Sequence, residues 1–263
     1  METAPAPESR LPTIRTCRLG GAGGISATLS HYPPFLRQPR HEHGFTQVSF
    51  LLAGAMRECQ GGAEFEMVGP AIGCKPMGRT HSVEFGDQGA LIFALRIDEP
   101  SGEEAVPRHA GWTGIAEGAD VPALVRAAIE AGEGALRAEL LWDLALVTRD
   151  EEGARPSTAP PWLKQVRSDI RNAPELLRID AVARNVGIHR TQLTRLFRRH
   201  FGLPPSLYRR QVMAARAICH ALQTRDSLAD TACSVGFADQ SHLARTVKTL
   251  SGLPLSRIRA LLA

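Results

Sequence analysis

The sequence predicts an α+β multidomain chain: a compact β domain followed by a helical pair, then an all-α C-terminal half with two helix-turn-helix units. Three observations predict it. Short alternating or apolar runs give way to helical stripes near residue 116. Charge divides along the chain: from Pro160 onward 17 Lys and Arg stand against 6 Asp and Glu, whereas Met1–Ala159 holds 14 basic and 21 acidic residues. A block of the C-terminal half also recurs at an offset of 49 to 50 residues. Such asymmetry suggests a basic module for a polyanion joined to an acidic module with another task.

The first stretch, "METAPAPESRLPTIR", has no apolar core of a secretory signal. The longest apolar run, "ALIFAL" at Ala90–Leu95, is too short to span a bilayer. Cys17, Cys59, Cys74, Cys219 and Cys233 are odd in number and form no CxxC pair, which favours a reducing compartment. A soluble cytoplasmic protein with no membrane partner is expected.

Strands are read in "TQVSFLLAG" (46–54, stopping at Gly54), "EFEMVG" (64–69) and "ALIFALRI" (90–97), each bounded by Gly or Pro turns. Cys59 and Cys74 are assigned to the interior of this β domain, and Trp112, Trp142 and Trp162 to packing. Val121–Glu130 and Ala135–Val147 read as helices. The second carries Leu136, Leu140, Leu144 and Val147 on one stripe, either packed on its own β domain or forming a dimer seam; we favour the seam. "RDEEGARPSTAPPW" (149–162) breaks every periodic pattern. The expected division is 1–115 for the β domain, 116–150 for the helical pair, 151–161 for the linker and 162–263 for the basic all-α domain.

In the repeat, Ala183, Val186 and Gly187 recur as Ala232, Val235 and Gly236. Leu193, Arg195, Gly202, Leu203, Pro204, Ser206 and Arg209 recur as Leu243, Arg245, Gly252, Leu253, Pro254, Ser256 and Arg259. Each copy follows the logic of a helix-turn-helix. A small Ala allows close helix approach, and Gly187 or Gly236 supplies a positive φ at the turn. Ile188 or Phe237 then fills the space between helices, and a polar outer face is left to read base edges.

Residues 162–263, through "FGLPPSLYRR" and "VGFADQSHLARTVK…SGLP", resemble the AraC/XylS family of transcription regulators. The family has Pro and an aromatic where this chain has Leu255 and Ile258. The resemblance implies that Arg190, Thr191, Thr194 and Arg195 of the first unit, with Gln240, Ser241, His242 and Arg245 of the second, face the major groove. Arg195, Arg245 and Gln240 have the geometry for bidentate base contacts. Arg198, Arg199, Arg209, Arg210 and Lys248 are assigned to phosphates. Double-stranded DNA is the implied partner, with RNA polymerase as a second; the leucine stripe adds the expectation of a homodimer, and activator and repressor both stay open.

His41, His43, Gln47 and Gly54 follow H-x-H-x3-Q-x6-G, and "PMGRTH" ends on His81, placed two residues before a strand resumes. The pair of motifs resembles those of a cupin barrel. That resemblance implies an effector or metal site at His41, His43 and His81, with Gln47 where cupins usually carry Glu. Three imidazoles suit zinc, nickel or iron. Gln in place of Glu removes both an anion and an acid/base group. A sensory metal, a directly bound small polar effector, and a purely structural role all stay open. The expectation is a regulator and not an enzyme; the alternative is a cupin metalloenzyme, a dioxygenase or isomerase, fused to a DNA-binding module.

Overall fold

The computed structural model describes residues 13–22, 24–98, 110–115, 120–130, 159–175 and 177–263. The second predicted helix, its leucine stripe and Trp142 lie outside them. Eight antiparallel strands come first: β1 (Arg15–Ala22), β2 (Ile25–Tyr32), β3 (Arg37–His41), β4 (Thr46–Gln60), β5 (Ala63–Val68), β6 (Ala71–Lys75), β7 (His81–Ile97) and β8 (Gly111–Gly114). They run in the order β1-β2-β7-β4-β6-β8, with β3 added on β7 and β5 on β4.

Two long strands, β4 and β7, build the barrel by bending. The first half of β4 and the second half of β7 belong to a six-stranded leaf; their other halves pair with β5 and β3 in a smaller one. The corner is made by glycine. Gly54 (φ 98°) and Gly89 (φ 65°) face each other, and a Cβ on Gly54 would lie 2.1 Å from the Gly89 carbonyl oxygen. The strand therefore turns at Gly54, where the sequence pattern suggests a stop, and continues to Gln60. The run from Ala90 is likewise the far half of β7, and His81 is the first residue of that strand.

The six-stranded leaf is buried on both faces. Leu51, Ala71, Ala90, Ile92 and Trp112 point into the barrel with Met56, Val83 and Phe85. Leu29, Val48, Phe50, Ile72, Leu91, Phe93 and Leu95 point the other way, into a cluster shared with helices. Double burial is why "ALIFAL" is apolar at every position, whereas "EFEMVG" alternates.

Helix α1 (Val121–Glu130), at the bounds the periodicity predicts, packs on this outer face through Val121, Leu124, Val125 and Ala128. The C-terminal helices follow: α2 (Pro161–Asn172), α3 (Ile179–Asn185), α4 (Arg190–Phe201), α5 (Pro205–Gln223), α6 (Leu228–Ser234), α7 (Gln240–Ser251) and α8 (Leu255–Leu261). Around the first unit, Leu163, Val166, Ile170, Val182, Leu193, Phe197, Leu203 and Tyr208 form a separate core. The 19-residue α5 crosses to the barrel, where Ala214, Ala215, Ala217, Ile218 and Ala221 meet the leaf; the small side chains let the helix lie close. Gly187 (φ 72°) and Gly236 (φ 80°) hold the two turns as their position in the repeat predicts. Leu255 and Ile258 are 1% and 0% exposed, so the apolar replacements in the last helix are absorbed by the core.

Candidate functional site

The basic half presents two helices of like construction. α4 starts on His189, whose ring accepts the Thr191 amide, and α7 starts on Asp239, whose carboxylate accepts the His242 amide. Each ends on a left-handed glycine, Gly202 or Gly252. Leu193 and Leu243 anchor the inner faces. Among the groove candidates, Arg190, Thr191, Arg195, Gln240, Ser241, His242 and Arg245 are exposed and Thr194 is half-buried. Of the phosphate candidates, Arg198, Arg199, Arg210 and Lys248 are exposed. Arg209 is half-buried with its Nε out of reach of solvent and of any hydrogen-bond partner among the described residues. Arg190 pairs with Asp180 at 3.1 Å, and His242 packs edge-on against Phe237.

At the barrel mouth the structure brings His41, His43 and His81 together. One nitrogen from each lies within 4.8 Å of the others, and the His41 and His81 rings are 4.3 Å apart. Pairing explains it: His41 stands opposite His81 across β3 and β7, and Gln60 stands opposite His81 across β7 and β4. Nδ1 of His41 is hydrogen-bonded to the Pro39 carbonyl (2.7 Å) and Nδ1 of His81 to that of Arg79 (3.4 Å). Each then keeps Nε2 for a ligand, the arrangement that orients metal-bound imidazoles elsewhere. Burial, with help from the neighbouring cations, pushes His43 and His81 down to about 4. Both are neutral near pH 7 and hold free lone pairs. The residues therefore fit a divalent ion of the zinc, nickel or iron type. It would act there as a Lewis acid.

Gln47 is tied elsewhere: its amide donates to Ser49 Oγ at 2.8 Å, opposite Lys75 on β6. Close to the histidines lies a buried polar set that the motif reading missed. Glu58 is 0% exposed, accepts Trp112 Nε1 at 2.8 Å and pairs with Lys75 Nζ at 3.4 Å. Lys75 also reaches Ser49 Oγ (3.5 Å) and sits over the Trp112 ring. Gln60 donates to the Cys74 carbonyl. Glu58 and Gln60 alternate with Arg57 and Cys59, which point outward, so of the two cysteines assigned to the barrel interior Cys59 is exposed and Cys74 is buried. Trp112 is buried, whereas Trp162 lies on the surface.

One chain thus packs an antiparallel barrel with a histidine-lined mouth against paired helix-turn-helix units. Residues 182–260 match the family model described as a helix-turn-helix domain. By that match and the doubled unit, the C-terminal part of the chain carries a helix-turn-helix DNA-binding domain. Solved structures similar to the C-terminal part include a Chromobacterium violaceum transcriptional regulator with an AraC-type DNA-binding domain. It is 30% identical, over 39% of this chain and 93% of that one, at a TM-score of 0.36. The C-terminal domain of AraT, a response regulator from Geobacillus stearothermophilus, is 19% identical over 40% and 88%, at 0.37. A cupin superfamily protein from Desulfitobacterium hafniense is 12% identical over 38% and 94%, at 0.32. No curated protein matches the sequence. No helix among the described residues is long and apolar enough to cross a membrane.

Proposed function

We propose that the chain regulates transcription in response to a small molecule or divalent metal held at His41, His43 and His81, and that it is not an enzyme. The observation that carries this is the shared apolar cluster. The leaf that borders the histidine site on one face shares an apolar cluster with α1, α5, α7 and α8 on the other, so a change in the barrel reaches α7, the second DNA-reading helix, through direct packing. In this reading residues 1–115 sense, 116–150 form a helical dimer interface, 151–161 link, and 162–263 bind DNA. Arg190, Thr191, Thr194, Arg195, Gln240, Ser241, His242 and Arg245 read bases; Arg198, Arg199, Arg209 and Lys248 hold phosphates. The protein acts in the cytoplasm as a homodimeric activator that contacts RNA polymerase.

Against catalysis stands the donor set. Gln47 supplies no carboxylate, and Glu58 is ion-paired with Lys75 through Oε2, which also accepts Trp112 Nε1. The test is metal analysis of protein purified without chelator or affinity metal, paired with DNA-binding titrations of wild type and His43→Ala. A regulator of this kind loses metal and the metal-dependent change in DNA affinity together, while its metal-free DNA affinity is unchanged. Equal metal content in both proteins, or turnover of a small substrate at the bound ion, would refute it.

A further inference from the structure

Below the three histidines the barrel holds more acceptors than donors. Glu58 Oε1 and Gln60 Oε1 are buried and have no hydrogen-bond partner among the described residues. Glu58 is 0% and Gln60 3% exposed, and Gln60 stands directly opposite His81, so both belong to the interior of the mouth. An orphaned buried oxygen is costly unless a donor arrives. Charge makes a second demand. The Lys75 ammonium answers the Glu58 carboxylate, so that pair is neutral as a unit. The three imidazoles are uncharged donors, and Gln47 brings no charge. A divalent ion at the histidines would keep its full positive charge in a half-closed site, which calls for an anion from outside.

We infer that the barrel's effector is a small hydroxylated carboxylate, whose anionic end lies at the histidine-held metal and whose hydroxyl groups donate to Gln60 Oε1 and Glu58 Oε1. This rests on the metal-site reading above and adds the ligand class to it. Donors for the acceptors and an anion for the metal are met by one molecule only if it carries both functions. A neutral polyol leaves the metal charge unanswered, and a plain carboxylate leaves both oxygens unpaired.

Three probes of equal carbon count separate these cases: glycerate, propionate and glycerol, titrated calorimetrically into full-length protein loaded with nickel, with bound metal measured before and after. Glycerate binds about tenfold or more tighter than propionate, the gap expected of two hydrogen bonds to buried acceptors, and glycerol shows no binding. Gln60→Leu narrows the glycerate-to-propionate ratio while nickel content stays at the wild-type level. Equal affinity for glycerate and propionate in the wild type means that water fills the acceptors and overturns the inference; this comparison needs no variant to fold. Glycerol binding as tightly as glycerate overturns it too. Protein that takes up no nickel fails the metal reading and the inference with it, whereas full nickel uptake without glycerate selectivity fails the inference alone.

Discussion

Arg195 and Arg245 occupy matching positions on α4 and α7, both exposed, with Arg245 Nε held to the Ser241 carbonyl at 3.3 Å. Arg245→Ala should weaken specific binding by about 1–3 kcal/mol and relax base preference at one subsite only. Arg199→Ala should weaken all sequences alike and flatten the salt dependence; gel-shift titrations at several salt concentrations check both. In the barrel, Lys75→Met leaves Glu58 as a buried unpaired charge and should cost about 3–5 kcal/mol in a denaturant melt, with much of the loss recovered in the Glu58→Gln/Lys75→Met double variant. The two arginines could be found from sequence because a repeat aligns them. Glu58 and Lys75 could not: buried ion pairs have no local signature, and ending β4 at Gly54 loses the alternation that turns Glu58 and Gln60 inward.

At the scale of elements, the histidine motifs and the recognition helices were legible because each is a short pattern with fixed spacing. The bend in β4 was not, since a glycine after an apolar run reads equally as a turn or a corner. Only the meeting with Gly89 decides it. Gly54→Ala places a methyl group against the Gly89 carbonyl at a positive φ and should lower stability by more than about 2 kcal/mol, seen as a fall in Tm. The stripe of Leu136, Leu140 and Leu144 lies outside the described residues, and the dimer remains a proposal. Leu140→Asp should give a folded monomer by light scattering, and insoluble protein would identify the stripe as core instead.

Across the whole molecule, the boundary in charge and composition at residues 151–161 does not coincide with a gap in packing. One apolar cluster runs from the leaf through α1 into α5, α7 and α8, and Arg15 reaches the Leu262 carbonyl at 3.0 Å. Fragments 1–115 and 162–263 should therefore each expose a broad apolar face and aggregate when expressed alone, yet give soluble material when co-expressed. The same seam contains His31, 4% exposed, beside Ala53, Leu91, Ala215 and Ile218, with Nε2 unpartnered among the described residues. Burial, then the nearby Arg15 cation, lowers it to about 4. Above pH 6.5 both folded and unfolded chains hold it neutral. As pH falls from 6.5 toward 4 only the unfolded chain gains the proton, so stability drains away over that window by on the order of 3 kcal/mol. His43 and His81 act in the same direction. Melts at pH 7 and pH 5 should show a smaller difference for His31→Gln than for the wild type. Within the leaf, the first half of β4 is a single layer of backbone between two audiences: Gln47, Ser49 and Leu51 look toward the barrel interior, Val48, Phe50 and Leu52 toward the helices. Point substitutions can thus retune what is sensed or how it is relayed, one face at a time. A single inserted or deleted residue would exchange the two faces at once, so this strand should drift in identity but never in length.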